Sequence, residues 1–448
     1  MKIYRFLLIA TFCVSALIAV MTGCKYDVAE PQWDKPAPSV TNPTITGVIP
    51  AQGAVAGVNT ITIQGQNFSD SISNMTVYFN TVAADIISGS STSLVVRRPN
   101  LVSTDSEIKV LSSKAYLAVK FGPYPVESAW EKYGIFIDNT SLGAIAVDSV
   151  ENVYVVSSSL SPYKISKVAP GGATTTFTPS FISPAIQRVT ADIKIHNGIL
   201  YLLGAGTKTQ TGMRDVQVLD LATNQITRAY RVPNAGTGPG GSGGGVNFGD
   251  FDSYGNFYVG GNTTDLCVVP PNPPTLPTVK AAGNYLADEI LAVRVFNGNG
   301  VSNVYVASRP SNGATPIKIY KHSIDAAGNL GAQTLVLDLA TTAFASRKIK
   351  GLTISSNGIL FIVTEAADPI LVFDPVNNSI DYFYKNLLSH VVTKTTPAQT
   401  AYWFGKQACW GTGNNMYIIA NDTMSASDDA DKWNVMKIKM GTAGSPYY

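Results

Sequence analysis

Ala144-Ile145-Ala146-Val147-Asp148-Ser149-Val150-Glu151-Asn152-Val153-Tyr154-Val155-Val156 reads as two short apolar strands joined by a polar turn. The phrase returns as Ile193-Lys194-Ile195-His196-Asn197-Gly198-Ile199-Leu200-Tyr201-Leu202-Leu203 and as Asp250-Phe251-Asp252-Ser253-Tyr254-Gly255-Asn256-Phe257-Tyr258-Val259. Three more copies end in Asn303-Val304-Tyr305-Val306, Gly358-Ile359-Leu360-Phe361-Ile362-Val363 and Asn415-Met416-Tyr417-Ile418-Ile419. The anchoring aromatics Tyr154, Tyr201, Tyr258, Tyr305, Phe361 and Tyr417 stand, by subtraction, 47, 57, 47, 56 and 56 positions apart. A repeat of roughly 40–50 residues built only of strands is the mark of a β-propeller. Six copies predict six blades over residues 130–448. In each, the first strand lines a central channel and the second packs in the blade core. Lys432–Met440 supplies a third strand for the last blade, and the unassigned stretch Trp130–Ile137 is expected to complete that blade and close the ring.

Composition agrees with an all-β chain. Of 448 residues, 45% are hydrophobic and 14% charged, below the roughly 25% typical of soluble domains. No long helical period follows the first 24 residues. The net charge of +2 comes from Lys2 and Arg5; the remainder is balanced. A balanced body lacks the electrostatic footprint that nucleic acid requires, so an uncharged, hydrogen-bonding ligand fits better. Of the four cysteines, Cys13 sits in the leading apolar segment and Cys24 ends it, while Cys267 and Cys409 fall three blades apart. A disulfide needs Cα atoms within about 7 Å, so both are expected as buried free thiols. No Cys/His metal spacing occurs, and no cofactor is expected.

The first 42 residues read as an address. Two positive charges precede the apolar run Phe6–Met21, which is short for a membrane span, and Met21-Thr22-Gly23-Cys24 follows. Those four residues resemble a bacterial lipobox. The resemblance implies cleavage after residue 23 and lipidation of Cys24. Lys25-Tyr26-Asp27-Val28-Ala29-Glu30 resembles the surface-export signals of Bacteroidetes lipoproteins, and the proline-rich stretch to Pro43 reads as an extended tether over 24–42.

Residues 43–121 alternate at period two between Gly, Asn and Pro punctuation, as a small β-sandwich requires. Gly65, Asn67 and Phe68, with the later Val77, Phe79 and Asn80, resemble the IPT/TIG family of immunoglobulin-like domains. That resemblance implies a rigid spacer here. The repeats that follow, above all Ala146-Val147-Asp148-Ser149 with Asn152-Val153-Tyr154-Val155, resemble NHL-type six-bladed propellers.

Candidate ligand-binding residues come from two places. The channel strands carry Asp148, Lys194, His196, Asp250, Asp252, Arg294, Thr353 and Trp410. Related propeller enzymes, lactonases and lyases, hold a divalent cation with such groups. Here the acids come from only two inner strands, and an Asp ending such a strand also serves its turn. The second place is Thr400–Trp410, leading from the fifth blade into the sixth. Its Tyr402, Trp403 and Trp410 offer apolar ring faces to sugars, and Lys406 offers a donor. The alternative reading makes Trp410 a channel plug. The Gly-rich run Gly236–Gly245 lacks the Lys-Ser/Thr ending of a phosphate loop and reads as a flexible link.

A lipidated tether, an IPT/TIG spacer and a terminal propeller resemble the accessory glycan-binding lipoproteins of Bacteroidetes polysaccharide-utilisation systems. The resemblance implies a non-catalytic protein at the outer membrane, facing the cell exterior, that captures glycan beside outer-membrane transport proteins. The alternatives are a metal-dependent lactonase- or lyase-like enzyme and an adhesion or scaffold protein that docks a protein partner.

Overall fold

The computed structural model describes residues 41–447, apart from positions 56 and 299 and the segments 137–141, 158–163, 182–189, 205–212, 234–244, 262–264, 272–279, 286–287, 311–316, 386–388, 393–398 and 423–432. The signal segment, Cys24, the tether and most of the Gly-rich run lie outside the described residues.

A small sandwich comes first. One sheet orders Thr44–Ile49, Thr60–Gln66, Ser93–Arg97 and Ile86–Ser90; the other orders Val82–Ala84, Met75–Phe79, Ser103–Ser112 and Val119–Val126. Its last strand runs past residue 121. Alternation puts Ile61, Ile63, Val77, Phe79, Leu94, Val96, Ile108 and Val110 into one fully buried core with Phe68. Gly65 and Asn67 are structural, as read: a Cβ on Gly65 would collide with Phe68, and Asn67 adopts a φ of 60°.

Five sheets follow and carry six inner strands, Leu142–Val147, Thr190–His196, Val246–Phe251, Asp288–Gly298, Ile349–Ile354 and Gln399–Trp410, the second and third lying in one nine-stranded sheet joined at Gly204 and Val246. Each inner strand abuts the next, and the sixth returns to the first, so the sheets encircle a common axis. This is a six-bladed propeller. All six inner strands share one irregularity. A β-bulge interrupts pairing at Leu142/Ala144, Thr190/Asp192, Val246/Phe248, Ile290/Ala292, Ile349/Gly351 and Gly405/Gln407. A bulge re-aims the side chains after it, and at this level of the channel it sets which residues face the axis.

The ring closes as the sequence predicts. Trp130–Lys132 pairs antiparallel with Trp433–Lys439, matching Lys132 to Met436 and Trp130 to Ile438. A second latch crosses the same seam. Glu151, at a φ of 66°, accepts hydrogen bonds from Thr412 and, at 3.0 Å, from the Tyr417 hydroxyl. Blades one and six are thereby joined at two levels.

The sandwich rests against the fifth and sixth blades. Arg97 pairs with Asp381 at 2.8 Å and Lys385 with Asp85 at 3.1 Å. These pairs are exposed and contribute little. Closer contact comes at Gly57, where a Cβ would run into the backbone of Met440 and Gly441.

Candidate functional site

The inner turns explain where the polar groups go. In blade one, Asp148 accepts from the backbone of Val150 and Asn152 at 3.1 and 2.8 Å and from the Asn152 side chain at 2.7 Å. In blade three, Asp252 takes the same three bonds from Tyr254 and Asn256, plus the Tyr258 hydroxyl at 2.9 Å. Asp325 and Asn329 repeat the box in an outer turn of blade four. The carboxylate satisfies donors that the chain reversal would otherwise strand. Burial, reinforced by Asp148, pushes the Tyr154 phenol up to about 12. Asp148 and Asp252 are therefore turn carboxylates, and Asp252 is withdrawn from the ligand-binding set.

Deeper in the channel the charges are paired with one another. Arg294 is 1% exposed and forms an ion pair with Asp250. Asp250 also accepts from the Val295 backbone at 2.8 Å. On the facing side, Lys194 lies 3.3 Å from Asp192, which takes a 2.6 Å bond from Gln407. Burial alone would depress the Lys194 ammonium, but Asp192 and Asp250 carry its pKa above the ordinary value. Two acids thus balance two bases. Buried Cys409 stands nearby with its thiol pushed up to about 12 by burial, and Cys267 is likewise buried and free.

The chain itself occupies the remaining space. After the last strand, Gly441–Tyr447 enters the channel from the side of the inner turns. Ser356 donates to the Ala443 carbonyl at 2.9 Å, Ser445 to that of Ile354 at 2.8 Å, and Gly444 bridges Ser355. Arg294 donates to the carbonyls of Ser445 and Pro446 at 2.8 and 3.1 Å. The Tyr447 ring covers the guanidinium at 3.7 Å, and its hydroxyl meets Thr353 at 3.0 Å. Asp250 and Arg294, read as ligand groups, are thus the anchor of an internal plug.

What stays open is the mouth on the turn face. A cavity of about 550 Å³ is bounded by Val147–Ser149 of blade one, Ile195, Asn197 and Gly198 of blade two, Trp410–Thr412 of blade six, and Gly444–Tyr447. A second cavity, of about 350 Å³, lies between blades two and three, and Asn197 lines both.

The remaining expected residues divide. Trp410 is 1% exposed and packs edge-on against Phe361 at 4.9 Å, so it is core at the floor of the mouth and offers no rim platform. Lys406 sits at the bulge of its strand. Its ammonium donates to the Leu142 carbonyl at 2.6 Å and lies 4.9 Å from the Trp433 ring. Burial, with neighbouring Lys350, lowers its pKa to about 8. The side chains of Tyr402 and Trp403 fall outside the described residues. Among the described residues, no three His, Cys, Asp or Glu converge to hold a metal ion. Sequence reasoning missed the plug and the turn-face cavities. A Gly-rich ending with two tyrosines was the available signal for the plug.

Residues 43–125 match the IPT/TIG domain. The sandwich is that domain. No curated protein matches the chain. Among solved structures, it is similar to an auxiliary nutrient binding protein from Bacteroides thetaiotaomicron VPI-5482, at 11% identity over 89% of this chain and 97% of that one, with a TM-score of 0.46. A second, from Bacteroides ovatus ATCC 8483, shares 12% identity over 90% and 99%, with a TM-score of 0.42. A calcium-binding protein, regucalcin, from Agrobacterium tumefaciens str. C58 shares 11% over 71% and 96%, with a TM-score of 0.45. At these identities and scores, none of the likenesses extends to function.

Proposed function

We propose that the chain is a lipid-anchored protein of the outer cell surface that captures a neutral, hydroxyl-rich ligand of the glycan class on the turn face of its propeller, without transforming it. The IPT/TIG domain holds the propeller away from the membrane, and Cys24 carries the anchor. The observation that carries this reading is the contrast between a channel whose charged groups are engaged within the protein and an open polar mouth of about 550 Å³ above it. Hydrolytic or eliminative chemistry requires a free base, acid or metal-binding carboxylate. Asp148 and Asp252 hold turns, Asp250 holds Arg294, and Asp192 holds Lys194 and Gln407. The mouth presents the Asn197 amide, the Ser149 hydroxyl and backbone groups at Gly198 and Gly411 beside the turn-held Asp148 carboxylate, a set suited to hydroxyl recognition.

The test is calorimetric titration of the full chain with neutral oligosaccharides found on a glycan array, repeated with Ser149→Trp. Ser149 is exposed and lines the mouth, so the indole fills it without disturbing the core. Binding by the wild type and its loss in Ser149→Trp supports the reading. A Tyr402→Ala/Trp403→Ala double variant that alone abolishes binding moves the site to the opposite face. Turnover of a sugar lactone or of a bound glycan overturns the non-catalytic reading.

A further inference from the structure

The four Asp-boxed and Ser- or Gly-started inner turns of blades one, three, five and six share a five-residue form, closed by backbone bonds such as Asp252 N to Asn256 O. Blade two departs from it. His196 replaces the carboxylate found at Asp148 and Asp252, and Asn197-Gly198, at φ of 50° and 75°, closes a two-residue turn. Within this turn the imidazole takes one bond, from the Asn197 amide. It stacks on Phe251 of blade three at 4.1 Å with planes 7° apart, and Phe251 stacks on Phe257 at 4.0 Å. Tyr201 meets Phe251 edge-on at 5.0 Å.

A shorter turn and His196 in place of the carboxylate together build an aromatic wall between two blades. Pro270 and Pro271 also line this cleft, and Tyr254 stands at the tip of the next turn, 57% exposed. Blade one carries Val150 at the matching position, also exposed, and it lines neither cavity. Among the described residues, no aspartate, glutamate, lysine or arginine lines the cleft. Asn197, which lines both cavities, donates to the His196 ring at 3.0 Å.

We propose that the cleft between blades two and three is a ring-stacking subsite for an uncharged pyranose, continuous with the mouth through Asn197, so that the preferred ligand is an oligosaccharide of at least two units. This rests on the glycan-binding reading and specifies it. The exposed Tyr254 ring and the half-buried His196 and Tyr201 rings, backed by buried Phe251 and Phe257 and edged by proline, take the apolar face of a sugar ring, and a described lining without formal charge gives a uronic or sulfated sugar no counter-ion.

The experiment titrates the full chain with neutral mono- to hexasaccharides from array hits, as wild type, Tyr254→Ala, Ser253→Trp and Val150→Ala. The Asp252 box uses only the backbone of Tyr254, so Tyr254→Ala leaves the turn intact. The expected result is a gain of about tenfold from mono- to disaccharide in the wild type, matching one added aromatic contact. That gain disappears in Tyr254→Ala and Ser253→Trp and persists in Val150→Ala, while monosaccharide binding stays unchanged throughout. A wild type with no gain on lengthening overturns the subsite and leaves the binding reading standing, as does a gain that survives both cleft variants. A wild type that binds no glycan overturns both.

Discussion

Blades two and three turn the same corner with opposite chemistry. Asp252 spends its carboxylate on three bonds to the next four residues and a fourth to Tyr258, all inside one blade. His196, at the matching position, packs between the Tyr201 ring of its own blade and the Phe251 ring of the neighbouring one. A charged turn residue is locked into structure, whereas the aromatic one leaves a recess beside it. The same distinction separates the channel interior, where charge is matched to charge and to the plug, from the mouth above it, whose one lining carboxylate, Asp148, is held by its own turn.

The most severe break lies in the interior. Asp250→Ala leaves Arg294 as a buried cation without its partner and is expected to cost about 3–5 kcal/mol, read as a lower denaturant midpoint. A variant as stable as wild type removes the claim that this pair anchors the plug. Next, Asp252→Ala strands several turn donors and is expected to cost about 2–3 kcal/mol. His196→Ala loses mainly stacking and should cost about 1 kcal/mol. Equal losses at the two positions erase the comparison between the blades. Tyr447→Phe keeps the ring over Arg294 and removes the hydroxyl that meets Thr353 and the Trp410 backbone, for about 1 kcal/mol.

The smallest effect is pH-dependent. Lys406 titrates at about 8 in the folded chain because burial disfavours its charge, below its ordinary value of 10.5. Between those values the unfolded chain binds more protons, so stability gains with rising pH. Lys406→Met lacks this gain. Urea midpoints compared from pH 7 to pH 10 should show the wild type rising relative to the variant above about pH 8, and parallel curves contradict it.

The sequence carried what is local and repeated. Tyr154 and its five counterparts marked the blades because each is part of a two-strand phrase, and Trp130–Lys132 was legible as the missing strand by counting. The turn role of Asp148 and Asp252 was legible because their partners lie within six residues. The plug was hidden because Gly441–Tyr447 has no periodicity and its main contact, Arg294, is remote in sequence. Trp410 reads as a sugar platform by composition, but its indole packs on Phe361 of the previous blade, a contact between repeats. The cleft was missed, because only the strand register places His196 where blades one and three carry Asp. Its meaning came from Phe251, in the next blade.

Hydroxyl-radical footprinting of the full chain, with and without a bound neutral oligosaccharide, compares the two propeller faces in one measurement. Protection of Tyr254 and His196 on the turn face, with Tyr402 and Trp403 unchanged, is the expected result. Protection of Tyr402 and Trp403 with Tyr254 unchanged would contradict it.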